Sequence, residues 1–182
     1  MANTKPKVLA EQWVAHSRLF HVQQQTLKFS NGVERQYERL NPFHHQAVLV
    51  VPLTAGHQFV LVREYGAGIG DYYWSFPKGA CDKGEHMLDS ANRELQEEAG
   101  FAANTLQHLG KLMHSPSYMG NSIDIVLAQD LYEAHLLGDE PEPMLVETRS
   151  AAELQTMIEQ GEFFESHAVA AFYRVKTLLG LA

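Results

Sequence analysis

Three carboxylates, Glu94, Glu97 and Glu98, stand at a spacing that places them on one face of a helix. Residues three and four apart are helix neighbours. At about 100° per residue the three fall within an arc of roughly 100°. Leu88, Ala91, Leu95 and Ala99 occupy the adjoining arc and face a core, so the segment reads as an amphipathic helix with an acidic polar face. Like charges at these spacings repel. Glu97 and Glu98 also lie just before Gly100, the expected helix stop, where the macrodipole disfavours anions. Arg93 offsets part of this repulsion. A divalent cation offsets far more, and clustered hard oxygen donors suit Mg²⁺ or Mn²⁺. The competing reading of a bare E-x-x-E-E run is a solvated acidic face, so the flanking residues bear on the choice.

From Gly79 to Phe101 the chain fits, with no gap, the pattern G-x5-E-x7-R-E-U-x-E-E-x-G-U, where U is a bulky apolar residue. The matches are Gly79, Glu85, Arg93, Glu94, Leu95, Glu97, Glu98, Gly100 and Phe101. Seven fixed positions recur by chance in roughly one chain of this length per million. The segment resembles the Nudix box, the signature of the Nudix hydrolase superfamily, with Phe101 where the family usually has an aliphatic residue. Further resemblance to bacterial members runs from about residue 8 to the C-terminus, through stretches such as Ser17–Phe20, Phe29–Val33, Leu61–Tyr65, Ser115–Tyr118 and Gly138–Pro143.

The resemblance implies an α/β fold, an α/β/α sandwich around a mixed sheet. It implies a single Nudix hydrolase domain over residues 1–182, with an N-terminal β-hairpin extension at residues 8–41 used in homodimerisation. An edge hairpin in a monomer is the alternative. The implied activity is metal-dependent pyrophosphohydrolysis of ADP-linked compounds (ADP-ribose, diadenosine polyphosphates such as Ap3A, NADH) to AMP and a phosphorylated product. Another specificity, such as sugar-nucleotide hydrolysis, and a non-catalytic nucleotide-sensing module are the competing readings.

The same resemblance distributes roles. Glu94 and Glu98, with Glu97, are the implied metal ligands, and Gly79 contributes its backbone carbonyl. Glu85 pairs with Arg93, which orients the metal-binding carboxylates. The general base in ADP-ribose-type relatives is a glutamate on a mobile loop after the last strands, where this chain has Glu140 and Glu142 in G-D-E-P-E-P. If that loop is only a solvated linker, the base falls to Glu97. Pro116, about fifteen residues past the box, is associated with ADP-ribose-type members. Gly66, Ser75 and Lys78 depart from the usual pattern, and Pro77-Lys78-Gly79 is closer to dinucleoside polyphosphate hydrolases. Arg63 can supply the positive charge missing at Gly66, or form a surface ion pair. Tyr65, Tyr118 or Phe20 can stack on adenine or pack in a core.

Composition agrees with this class. The 182 residues are 45% hydrophobic, enough for one full core, and the net charge of −8 argues against a general nucleic-acid backbone binder. Cys81 is the single cysteine, so no intrachain disulfide forms and a reducing cytoplasm is the simplest setting. No apolar run approaches 18 residues, and the N-terminus lacks an apolar signal core, so neither a membrane span nor a leader is expected. The His44-His45 pair reads as structural or solvated.

Elements must carry these residues into place. Leu19–Phe29 and Val33–Leu40 read as strands around the Ser30-Asn31-Gly32 turn. Ala47–Leu53 reads as a strand buried on both faces. Gln58–Glu64, Tyr72–Phe76, His108–Met113 and Ser122–Ala128 read as further strands, and Ala151–Glu159 and His167–Leu179 as helices.

Overall fold

Asn31 and Gly32 make a tight turn, as their chemistry allows: Gly32 takes φ +83°, and Asn31 Oδ1 accepts a 3.1 Å bond from the Val33 N–H. The turn joins β2 (His21–Lys28) to β3 (Glu34–Leu40), the expected hairpin. A further strand precedes it. β1 (Lys7–His16) pairs antiparallel with β2, giving the order β1-β2-β3. Its sequence, K-V-L-A-E-Q-W-V-A-H, has no strict alternation, and register shifts at Val8/Ala10 and Trp13/Ala15 break its pleat, which is why periodicity did not reveal it. The computed structural model describes residues 4–40 and 46–181, so His44 and His45 lie outside the described residues. The N-terminal strands and residues 113–122 form one compact unit, in which the Leu40 N–H donates to the Tyr118 carbonyl at 2.8 Å.

The second unit, residues 46–112 and 123–182, carries the acidic helix. Its strands are β4 (Gln46–Pro52), β5 (Phe59–Gly66), β6 (Asp71–Ser75), β7 (Lys78–Ala80), β8 (Phe101–Met113), β9 (Ser122–Glu133) and β10 (Leu145–Arg149). Its helices are α1 (Met87–Ala99), α2 (Ala151–Gln160) and α3 (Ser166–Leu179). The strands form two sheets, ordered β7-β4-β9-β8 and β10-β5-β6.

Strand pleating sorts the core into two layers. Val48, Val50, Val60, Val62, Val126 and Ala128 pack with Ala91, Leu95 and Ala99 of α1. The intervening residues Leu49, Val51, Phe59, Leu61, Ile125 and Leu127 pack with Leu154 of α2 and Phe172 and Val175 of α3. Sheet residues thus face helices on both sides, the α/β/α arrangement. The short β7 and β10 fell below what periodicity detects, and β8 and β9 outrun their apolar segments. Among the described residues no helix is long and apolar enough to cross a membrane.

The helix ends are chemically specified. Ser150 and Glu153 form a reciprocal capping box on α2, and Gly161 and Gly100 close α2 and α1 in the left-handed conformation, with φ of 76° and 73°. The two glycines differ in surroundings. A Cβ on Gly161 meets nothing within 4 Å, whereas one on Gly100 would lie 2.3 Å from His135 Cε1. Gly161→Ala should therefore cost only the left-handed strain, about 1–2 kcal/mol. Gly100→Ala should cost more by urea unfolding, with the excess removed in a His135→Ala background. Equal losses for the two variants would contradict this packing.

Candidate active site

Packing fixes the acidic helix before any charge is placed. Ala91 and Leu95 are fully buried beneath α1, which leaves Glu94, Glu97, Glu98 and Arg93 on the flank facing β7. Arg93 gathers the carboxylates. Its Nη1 donates to Glu94 Oε1 and Glu97 Oε2, both at 2.8 Å, while Nε and Nη2 donate to the two oxygens of Glu85 at 3.2 and 3.1 Å. Nη2 also donates to the Ala80 carbonyl at 3.0 Å, tying the helix to the end of β7. Glu85 further accepts from Ser90 Oγ at 2.6 Å and from the Asp82 N–H at 3.1 Å. The Arg93 hydrogen bonds, with these others, hold the Glu85 carboxyl down at about 2, and Glu85 in turn raises the Arg93 pKa.

Glu94 and Glu98 lie deeper, each only 8% exposed. Burial pushes both carboxyls up, Glu98 to about 8 although the Lys78 N–H donates to its Oε2 at 2.9 Å. That amide is delivered by β7, which pairs with β4 through Leu49↔Lys78 and Val48↔Gly79. Gly79 is bare for a steric reason: a Cβ there would lie 2.3 Å from the Glu94 carboxyl. The Lys78 ammonium is also half-buried and pairs with Glu64, and it donates to Ser75 Oγ at 3.1 Å. Burial lowers its pKa.

Two cavities open here. One, of about 390 Å³, is lined by Lys78, Gly79, Arg93, Glu94, Glu97, Glu98 and residues 138–140 among others. The other, of about 380 Å³, is lined by Arg63, Glu64, Tyr65, Tyr72 and residues 140–145. Glu140 lines both. A Cβ on Gly138 would lie 2.4 Å from Glu140 Oε2 and 3.6 Å from Glu97 Cβ, so the Glu140 carboxylate folds over Gly138 toward the acidic helix. Glu142 lines only the second cavity, where its carboxylate accepts from the Tyr72 hydroxyl. Tyr72 also makes an edge contact with Tyr65, centroids 5.4 Å apart, and lies 5.5 Å from the Arg63 guanidinium carbon.

Of the residues expected from sequence, Gly79, Glu85, Arg93, Glu94, Glu97, Glu98 and Glu140 come together, and Arg63, Tyr65 and Glu142 line the adjoining aromatic cavity. Pro116 and Tyr118 line a different cavity, with Tyr37 and Arg39, inside the N-terminal unit. Phe20 is half-exposed in that unit. Sequence reasoning missed Tyr72 and the Lys78 amide. Tyr72 finds Glu142 seventy positions away, and the amide acts only because β7 is a strand. The buried carboxylates, the bare glycine and the all-oxygen donor set fit a hard divalent cation. Among the described residues no three acidic, histidine or cysteine side chains converge tightly enough to cage an ion unaided.

Comparison with known proteins accords with this geometry. Residues 43–174 match the NUDIX domain, and residues 6–39 match the NudE-type Nudix hydrolase N-terminal domain. The chain belongs to the Nudix hydrolases, enzymes that generally depend on a divalent metal. It is 45% identical over 175 residues to the ADP compounds hydrolase NudE of Escherichia coli, covering 96% of this chain and 94% of that protein. It is 31% identical over 138 residues to an ADP-ribose pyrophosphatase of Mycobacterium tuberculosis, covering 72% and 65%. A crystal structure of an ADP compounds hydrolase superposes with a TM-score of 0.93 at 43% identity, covering 99% of this chain and 97% of that one.

Burial of Glu98 has a thermodynamic signature. Between the ordinary carboxyl value of 4.5 and about 8, the folded chain keeps a proton on Glu98 that the unfolded chain has released. Stability of the metal-free protein should therefore fall as pH rises from 5 to about 8. Glu85 and the α3 N-cap Glu165, both depressed to about 2, contribute evenly across that window and lose their contribution only as pH falls from 4.5 toward 2. Melting curves should show that Glu98→Gln flattens the decline and that Mg²⁺ raises the wild-type Tm more at pH 8 than at pH 5.5. An unchanged slope in the variant would refute the assignment.

Proposed function

We propose that this chain is a Mg²⁺- or Mn²⁺-dependent pyrophosphohydrolase that cleaves ADP-linked compounds such as ADP-ribose, diadenosine polyphosphates and NADH to AMP and a phosphorylated product. The observation that carries this reading is the adjacency of an acidic cavity and an aromatic one, both lined by Glu140. A diphosphate placed over the first leaves a nucleoside within reach of the second. The names of the two relatives and of the superposed structure, which specify ADP compounds and ADP-ribose, favour an ADP-linked substrate.

Glu94 and Glu98, with Glu97 and the Gly79 carbonyl, would hold the metal. A divalent cation held there would polarise the phosphorus and make water a stronger acid. The partial, all-oxygen protein donor set suits Mg²⁺ or Mn²⁺. Arg93 orients the ligands through its forked bonds, and Glu85 anchors Arg93 from the far side. Glu140, over Gly138 and against Glu97, takes the proton of the attacking water and is favoured over Glu142, which already accepts from Tyr72. Arg63 offers its guanidinium to a phosphate, and Tyr65 offers a ring to the base. Pro116 and Tyr118 are proposed as substrate contacts on the family resemblance alone.

The strands of residues 8–41 are proposed as the homodimerisation extension of a single Nudix domain spanning 1–182. β1 is an edge strand of its sheet with Val8, Leu9 and Val14 exposed, a surface that favours pairing with a second copy. A reducing cytoplasm is the proposed setting.

AMP release from ADP-ribose should require Mg²⁺, and Glu98→Gln should abolish it. Glu140→Gln should lower kcat by about 10²–10⁴-fold at saturating Mg²⁺. If Glu140→Gln changes kcat by less than threefold, Glu97 becomes the base. Light scattering at micromolar concentration should report a dimer, and a monodisperse monomer would remove the dimerisation claim.

A further inference from the structure

Residues 137–141 carry Glu140 between two fixed points. On one side the chain is strapped to the C-terminal end of α1: the Ala134 N–H donates to the Gly100 carbonyl at 3.1 Å, and the Leu136 N–H to the Gln96 carbonyl at 3.4 Å. On the other side the Glu142 carboxylate accepts from the Tyr72 hydroxyl on β6, just before Leu145 enters the β10–β5 ladder opposite Arg63. Leu137 is 97% exposed, so apolar packing does not hold the tip. Tyr72 is itself positioned, with its ring against Tyr65 and Arg63 while its hydroxyl faces the loop.

We propose that Tyr72 and Glu142 form a latch that holds the 137–143 loop closed, so that Glu142 is a positioning residue for Glu140 and not a second base. This rests on the reading of Glu140 above. The latch divides two neighbouring carboxylates by chemistry. Glu140 must be an ionised carboxylate to accept a proton, whereas Glu142 needs only an oxygen that accepts a hydrogen bond. Loops that complete a catalytic set by closing commonly govern turnover in this way.

That difference makes the roles separable. Glu142→Gln keeps an acceptor and should hold kcat on ADP-ribose within about threefold of wild type, while Tyr72→Phe and Glu142→Ala should each lower it by roughly three- to tenfold. The Tyr72→Phe/Glu142→Ala double variant should be no worse than either single, because both remove one bond. Amide hydrogen exchange of the full chain at Ala134 and Leu136, whose N–H groups tie the root of the loop to α1, should quicken in Tyr72→Phe and Glu142→Ala and stay near wild type in Glu142→Gln. A loss of a hundredfold in Glu142→Gln would make Glu142 the base and overturn the latch. So would unchanged exchange in Tyr72→Phe, or additive losses in the double variant. Because exchange is read without substrate, the latch can fail while the ADP-linked activity stands, and the reverse.

Discussion

Four carboxylates crowd the start and one flank of α1, and three of them share one guanidinium. Arg93 lies 2.8 Å from Glu94 and from Glu97, and 3.1–3.2 Å from Glu85. Without it, like charges at i,i+3 spacing would repel along a helix that already ends in an unfavourable dipole. The planar fork answers several acceptors at fixed angles, which a point charge on a flexible stem does not. The acidic face is therefore a shaped one: Glu85 takes one edge of the guanidinium, and the other edge sets the rotamers of the glutamates facing the cavity.

The rest of the fold keeps that arrangement still. Leu95 and Ala91 seat α1 on Val48, Val50, Val60 and Val126, and the opposite pleat of the same strands packs against α2 and α3. β7 brings an amide to Glu98 and a bare glycine to Glu94, and Arg93 closes the circuit through the Ala80 carbonyl. Burial pushes the Glu98 carboxyl up to about 8, so a cation bound there would displace a proton.

The sequence was most legible where function fixes spacing along one helix. Glu94, Glu97, Glu98 and Arg93 followed from a 3.6-residue period, and Gly100 from the αL cap it supplies. Strands with continuous apolar runs, such as β4, were equally plain. What stayed hidden depends on contacts between distant segments. β1 gains its structure from pairing across two bulges, and β10 from laying five residues against β5. Tyr72 has no local pattern, since its partner is seventy residues on. Nor could spacing rank Glu140 against Glu142 two positions away; Gly138 on one side and Tyr72 on the other separate them.

If the fork of Arg93, and not merely its charge, shapes the cavity, Arg93→Lys isolates the claim. Mn²⁺ affinity measured by electron paramagnetic resonance on the full chain reads the ligands directly, without substrate. Loss of a supporting partner of metal ligands typically weakens binding by about ten- to hundredfold, and a loss of that size is predicted here with the fold retained. Mn²⁺ affinity in Arg93→Lys equal to that of the wild type would contradict it.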